Sequence, residues 1–356
     1  MKLTRSQLIV IIVLGVLAVG VFGCLVGIIV RNSRQISQVI APAAPASPPP
    51  AQTGQPTVPP TPTASPVPTP TLTPTPIVPQ TRYDLQVAQE PENPTLRLQR
   101  GYAYIALDAP TYATEDFNVA IELDDTMAEA YAGRGEASFH LKEWTAAAED
   151  FEVALALNPD LADAHAWRGH LLSAHGRHGP AIEALRQAVE LDKGDPWKRI
   201  VLAQALLHSG SPGEAKIEYT AALALEGRST EAYVGRAMAY AEEGDLDAAQ
   251  ADLDSARDIA PHDPVVLNGQ AWLYAWYRND RLPDAERLAQ RAVAGAEDDL
   301  QKARYLHTLG WVYYQQERYD EAVATLEEAA ALATVEGEVV YGEIVEHLEE
   351  AREALE

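Results

Sequence analysis

The stretch "DAHAWRGHLLSAHGRHG" sets four imidazoles, His165, His170, His175 and His178, close together in the chain. Histidines hold zinc when they recur three or four apart on one helical face with a further ligand beside them. Here the first three recur every five residues and drift around a helix. Solvent-facing histidines are therefore the better reading and a metal site the weaker one. No glycine-rich phosphate loop, GxSxG elbow or HExxH pair occurs. The single cysteine, Cys24, lies in an apolar run, so the rest of the chain has neither a disulfide nor a thiolate metal site. The expectation is a protein that is not an enzyme and has no catalytic residues, cofactor or metal.

A second charged pattern is more regular. Arg100, Arg134, Arg168 and Arg236 occupy one column, and Asp116, Asp150 and Asp252 follow three of them by sixteen residues. At that spacing Arg168 meets Ala184 instead, and Glu218 falls opposite Leu202. Paired arginine and aspartate would tie two helices together; a basic ladder that grips an acidic ligand is the rival.

The frame for both patterns is a period of 34. Gly101, Gly135 and Gly169 fall in line with Ala203, Ala237 and Ala271. Twelve residues later comes the alanine column Ala113, Ala147, Ala181, Ala215 and Ala249, and seven further on Ala120, Ala154, Ala188, Ala222 and Ala256. Between those columns stands a large residue: Phe117, Phe151, Leu185, Tyr219 or Leu253. A small residue in one helix facing a large one between small ones in the next lets two helices approach closely. Each glycine costs about 1 kcal/mol of helix propensity for that approach.

This period and pattern resemble the tetratricopeptide repeat, seen best in "RGEASFHLKEWTAAAEDFEVALALNP" with Gly135, Ala147, Phe151 and Pro159. The resemblance covers residues 94–336 as seven units, starting near Pro94, Ala128, Ala162, Pro196, Thr230, Pro264 and Ala303. It implies an all-α right-handed superhelical solenoid of helix-turn-helix units. The sixth unit carries two extra residues around "YRNDRLPDAE", which displace Ala285 and Ala292, and three more precede the seventh. Residues 337–356 form one amphipathic helix expected to cap the open end, and residues 81–93 are a lead-in.

The resemblance also implies a site. In such proteins the first helices wall a concave groove that holds peptides or helices. The residues just after the small column are Tyr102, Glu136, His170, Gln204, Met238, Trp272 and Trp311, and three further on come Phe139 and Tyr314 among others. Aromatics at both ends with polar residues between would suit an extended protein segment, basic and with apolar anchors. Packing of some of these rings into the structure is the competing reading. The lysines and asparagines with which some members clamp a terminal carboxylate are replaced here by Ala132 and Glu136, which disfavours that role.

The chain of 356 residues has a net charge of -25, and its first 80 residues hold four basic groups and no carboxylate. The remainder is thus more acidic still, which disfavours nucleic acid and anionic lipid as its partners. After a short tail, residues 1–7, the run from Leu8 to Val30 has no charge and is long enough to span a bilayer as an uncleaved signal anchor. "VFGC", ending at Cys24, is a poor lipoprotein box, and Gly23 with Gly27 forms a GxxxG through which two such helices could pair as a homodimer. Residues 31–80, rich in Pro, Thr and Ala, read as a disordered linker, extended as a stalk. Docking of an SH3-type domain there lacks a flanking basic residue. Together these features predict a single-pass protein of the cell membrane with its repeats outside the cytoplasm. The predicted function is a non-enzymatic scaffold at the cell envelope. The alternatives are a cell-wall or glycan-associated module supporting an enzyme, and a cytoplasmic-facing assembly factor.

Overall fold

The computed structural model describes residues 80–333 and 338–355. Among them there are sixteen α-helices, one short 3-10 turn and no strand. A short α1 (Asp84–Gln89) is followed by helix pairs α2/α3 (Pro94–Ile105, Pro110–Leu123), α4/α5 (Ala128–His140, Trp144–Leu157) and α6/α7 (Ala162–Ala174, His178–Leu191). Then come α8/α9 (Pro196–His208, Pro212–Leu225), α10/α11 (Thr230–Glu242, Leu246–Ile259), α12/α13 (Pro264–Tyr277, Leu282–Ala294) and α14/α15 (Asp299–Gln315, Tyr319–Ala333), with α16 (Glu338–Leu355) last. Each helix packs on its neighbours in sequence, and first helices also touch the next first helix. The result is an all-helical solenoid.

Local chemistry sets the boundaries. Proline opens α2, α3, α8, α9 and α12, where its missing N–H costs nothing. Asn93, Asp195, Ser229, Asp263 and Asp298 cap α2, α8, α10, α12 and α14 through their side-chain oxygens. The turn inside six of the seven pairs holds one left-handed residue: Asp108, Lys142, Gly176, Gly210, Gly244 and Glu317 all have φ between 53° and 83°. Unit six has no such residue. Its two extra residues are taken up by the 3-10 turn Asn279–Arg281.

The repeat columns are the core. Ala113, Phe117 and Ala120 are wholly inaccessible, as are Ala147, Phe151 and Ala154 and their counterparts in α7. Close approach is literal at the glycines. A Cβ on Gly135 would lie 2.5 Å from Phe151 Cε1, and one on Gly101 2.6 Å from Phe117 Cε1. Gly133 serves a different contact, since its Cβ would meet Phe117 of the preceding unit at 2.6 Å. Phe117 is thus seated between two glycines, one from its own unit and one from the next. In α13 the large column is Ala289, and the partly buried Leu288 packs against three neighbouring clusters.

The arginine and aspartate columns close as ion pairs. Arg100 grips Asp116 at 2.6 and 2.8 Å, Arg134 grips Asp150 at 2.8 and 2.7 Å, and Arg236 grips Asp252 at 2.7 and 2.8 Å. Where the columns fail, substitutes appear: Arg168 turns to Glu152, and Glu218 takes Arg199. These arginines are spent on the fold. Gln270 stands in the arginine column of unit six, almost fully buried, and its Nε2 has no partner.

One expectation is corrected. Among the described residues no helix is long and apolar enough to cross a membrane, so the structure does not support a single-pass protein of the cell membrane. Even the longest helix, α16, has the sequence EVVYGEIVEHLEEAREAL, whose many carboxylates belong in water. The run Leu8 to Val30, with Gly23, Cys24 and Gly27, and the linker up to residue 79 lie outside the described residues.

Candidate functional site

The residues singled out by position all lie on first helices and are half-buried. Gly101 and its equivalents press against the second helix, and the next residue along lies about 100° further round the first helix. Tyr102 meets Phe117 edge-on at 5.2 Å and donates its hydroxyl to the Glu129 carbonyl at 3.1 Å. Gln204 donates to Glu231 at 2.6 Å. Met238 packs against the clusters on both sides of α10. These three bridge neighbouring helices and offer little free chemistry.

The aromatic residues form two groups. In the first, Phe139 lies 4.9 Å from His170 and 5.2 Å from Trp167, and Trp167 in turn lies 4.6 Å from Trp197. In the second, Trp272 stacks near Trp276 at 6.1 Å, Trp276 meets Trp311 at 5.4 Å, and Trp311 stacks on Tyr314 at 4.6 Å. All of these rings keep part of their surface accessible. Phe139 and His170 are therefore neighbours, as are Trp311 and Tyr314, while the two groups stand on different helices.

Three participants escaped the position argument: Trp167, Trp197 and Trp276. Each lies on a first helix but off the column after the small residue, and the signal was simply an unexplained tryptophan in the same helix. His347 is the fourth. It comes from α16, sits 4.1 Å from the Trp311 ring and shares a 2.6 Å contact between its Nδ1 and His307 Nε2. The last helix thus adds a ring to the second aromatic group and also covers the core end through Ile344, Leu348 and Ala351.

Electrostatics distinguish the first group. Burial pushes the Glu136 carboxyl up to about 7, and the Asp163 charge pushes the same way; an indole hydrogen bond from Trp167 and the charge of Lys198 act against both. Burial and then the charge of Arg304 bring His170 down to about 4. His208 falls to about 4 for the same two causes. Burial, then His347, lowers His307 to about 3. Lys198, fully buried, is held by Asp163 at 2.7 Å, Asp195 at 2.6 Å and Asp192 at 3.2 Å.

The four histidines of the opening stretch do not converge. His165 binds the Pro159 carbonyl at 2.8 Å, His175 binds the Leu171 carbonyl at 2.9 Å, and His178 faces His208 at 5.8 Å. Among the described residues no group of three or more histidine, cysteine and carboxylate side chains is placed to hold a metal ion.

Four family models, each described as a tetratricopeptide repeat, match residues 128–161, 162–195, 200–264 and 273–334, together more than half of the sequence. The chain belongs to the tetratricopeptide-repeat proteins, which generally act as protein-interaction scaffolds. No curated protein matches it in sequence. Among solved structures it is similar to a tetratricopeptide repeat protein from Parabacteroides merdae, at 14% identity and TM-score 0.56 over 73% of this chain and 98% of that one. It is also similar to the Cut9–Hcn1 hetero-tetramer of the APC/C, at 18% identity and TM-score 0.56 over 76% of this chain and 55% of that one. YrrB, described as a repeat protein with an unusual peptide-binding site, matches at 23% identity and TM-score 0.41, over 53% of this chain and 98% of that one. At these identities the likeness concerns the fold.

Proposed function

We propose that this protein is a non-enzymatic scaffold that captures an extended segment of a partner protein along the first-helix face. The observation that carries this reading is the pair of part-exposed aromatic groups, Phe139 with His170, Trp167 and Trp197, and Trp272 with Trp276, Trp311 and Tyr314. A repeat protein needs its large rings between helix layers, where Phe117, Phe151 and Tyr219 already sit. Rings left on the inner face are suited to receive apolar anchors of a guest. Glu136, held partly neutral by its surroundings, would regain its charge against a lysine or arginine of that guest. A segment with apolar anchors and a basic residue fits best.

The test begins with peptides selected from a random displayed library on the full-length protein. Trp272→Ala and Trp311→Ala should each weaken a selected peptide by about 2 kcal/mol or more with helicity retained. Equal binding by wild type and both variants would remove the C-terminal group from the site.

A further inference from the structure

α16 is held to the last repeat pair in three ways. Ile344, Leu348 and Ala351 pack with Leu326, Ala329 and Ala333, and Arg352 forms an exposed ion pair with Glu327 at 2.7 Å. The third tie is a contact between two imidazoles. His307 Nε2 of α14 and His347 Nδ1 of α16 lie 2.6 Å apart, with ring centroids at 4.9 Å and planes 27° apart. His307 is nearly buried and His347 half-buried. Indoles flank the pair: Trp311 lies 4.1 Å from His347, and Trp276 lies 5.8 Å from His347 and 5.9 Å from His307. At 2.6 Å one imidazole N–H donates to the bare nitrogen of the other. A charged imidazole has no bare nitrogen, so two charged rings would set N–H against N–H and like charge against like charge.

The charged groups around the pair do not remove that conflict. On α16, Glu346 and Glu350 favour a proton on His347, and Glu343 lies one turn before it. On α14, Arg304 stands three residues before His307, and Lys302 is paired with Glu328 of α15 at 2.8 Å. Glu327 of α15 is taken by Arg352, and α12 carries no charged residue. One proton on the pair is therefore met by carboxylates, while a second has nowhere to go. We propose that the His307–His347 contact is an acid-sensitive latch: α16 stays docked beside Trp311 while at least one ring is neutral, and leaves α14 when both are protonated. The latch does not depend on the scaffold reading above. Burial, then His347, lowers His307 to about 3, and burial lowers His347. A free histidine titrates near 6.5, so the undocked form binds more protons than the docked one. Docking is thus complete above that pH and weakens as pH falls. Each proton that the docked pair refuses raises the undocking constant about 25-fold between pH 7 and pH 5.

The experiment is amide hydrogen exchange of the full-length protein from pH 7 to pH 5, corrected for the intrinsic rate. The histidine-free pair α10/α11 serves as the internal reference. Wild-type α16 should lose at least about tenfold protection relative to that reference, reversibly, and quenching of tryptophan fluorescence by acrylamide should rise in step. His347→Gln and His307→Gln keep the glutamates in place, and the new amide oxygen accepts from the remaining imidazole whether that ring is neutral or charged. In each variant the protection of α16 should change less than twofold over the same range. A flat wild-type profile, or glutamine variants as steep as wild type, would overturn the latch. Should either variant leave α16 unprotected already at pH 7, the wild-type imidazoles followed by NMR decide. Titration of both rings together with the loss of α16 protection supports the latch, and titration of both near pH 6.5 with α16 still protected overturns it.

Discussion

Replacing Gly135 by alanine tests the packing logic of the repeat at a single atom. The new Cβ would stand 2.5, 2.8 and 3.0 Å from Cε1, Cδ1 and Cζ of Phe151. Carbon atoms settle at roughly 3.5–4.0 Å, so a gap of about 1 Å has to open. Phe151 is wholly inaccessible and cannot swing into solvent. Separation of α4 from α5 is the remaining relief, and overpacking of this kind costs about 1–3 kcal/mol. Alanine returns about 1 kcal/mol of helix propensity, which leaves a net loss of up to about 2 kcal/mol. Gly179 in α7 is the control, because nothing lies within 4 Å of its added Cβ. Gly179→Ala should be neutral or slightly stabilising, and Gly135→Leu should exceed Gly135→Ala. Urea unfolding followed by circular dichroism reads all three. Gly135→Ala at or above wild-type stability would refute the packing argument, since the propensity term would then be acting alone. A double variant, Gly135→Ala with Phe151→Leu, should be less unstable than the sum of its parts by at least about 0.5 kcal/mol.

The other expectations concern charge and backbone. Arg134→Ala should destabilise more than Asp150→Ala, because it strands a nearly buried carboxylate, whereas the reverse leaves a part-exposed guanidinium that water can reach; chemical unfolding of the two variants decides. Glu136 titrates at about 7 in the fold against about 4.5 when free, so its stabilising protonated form is complete below pH 4.5 and is lost as pH rises through 7. Wild type should therefore lose stability relative to Glu136→Gln between pH 5 and pH 8, by at most about 3 kcal/mol, and parallel melting curves would show that the group is not perturbed. Gly210→Ala should cost about 1 kcal/mol although nothing lies near its Cβ, because its φ is 76°; Glu317→Gly, at φ 60°, should gain up to about that amount in the same melting assay.

The sequence by itself determined the helical pairs, because a 34-residue column of small and large residues has one economical packing, and it determined the partners of Arg100, Arg134 and Arg236, because sixteen residues carry a side chain from one helix to the facing one. It also pointed to Tyr102, Glu136, Phe139, His170, Gln204, Met238, Trp272, Trp311 and Tyr314 as an inner column. It did not reveal what Gly133 does, because that contact is with Phe117 of the preceding unit and depends on how units stack. The same holds for Trp167, Trp197 and Trp276, which reach their rings' neighbours across units, and for His347, which α16 delivers to Trp311 from outside the repeat. All of these contacts depend on how successive helix pairs stack, a sum of many small packing angles that the residues of a single unit do not encode.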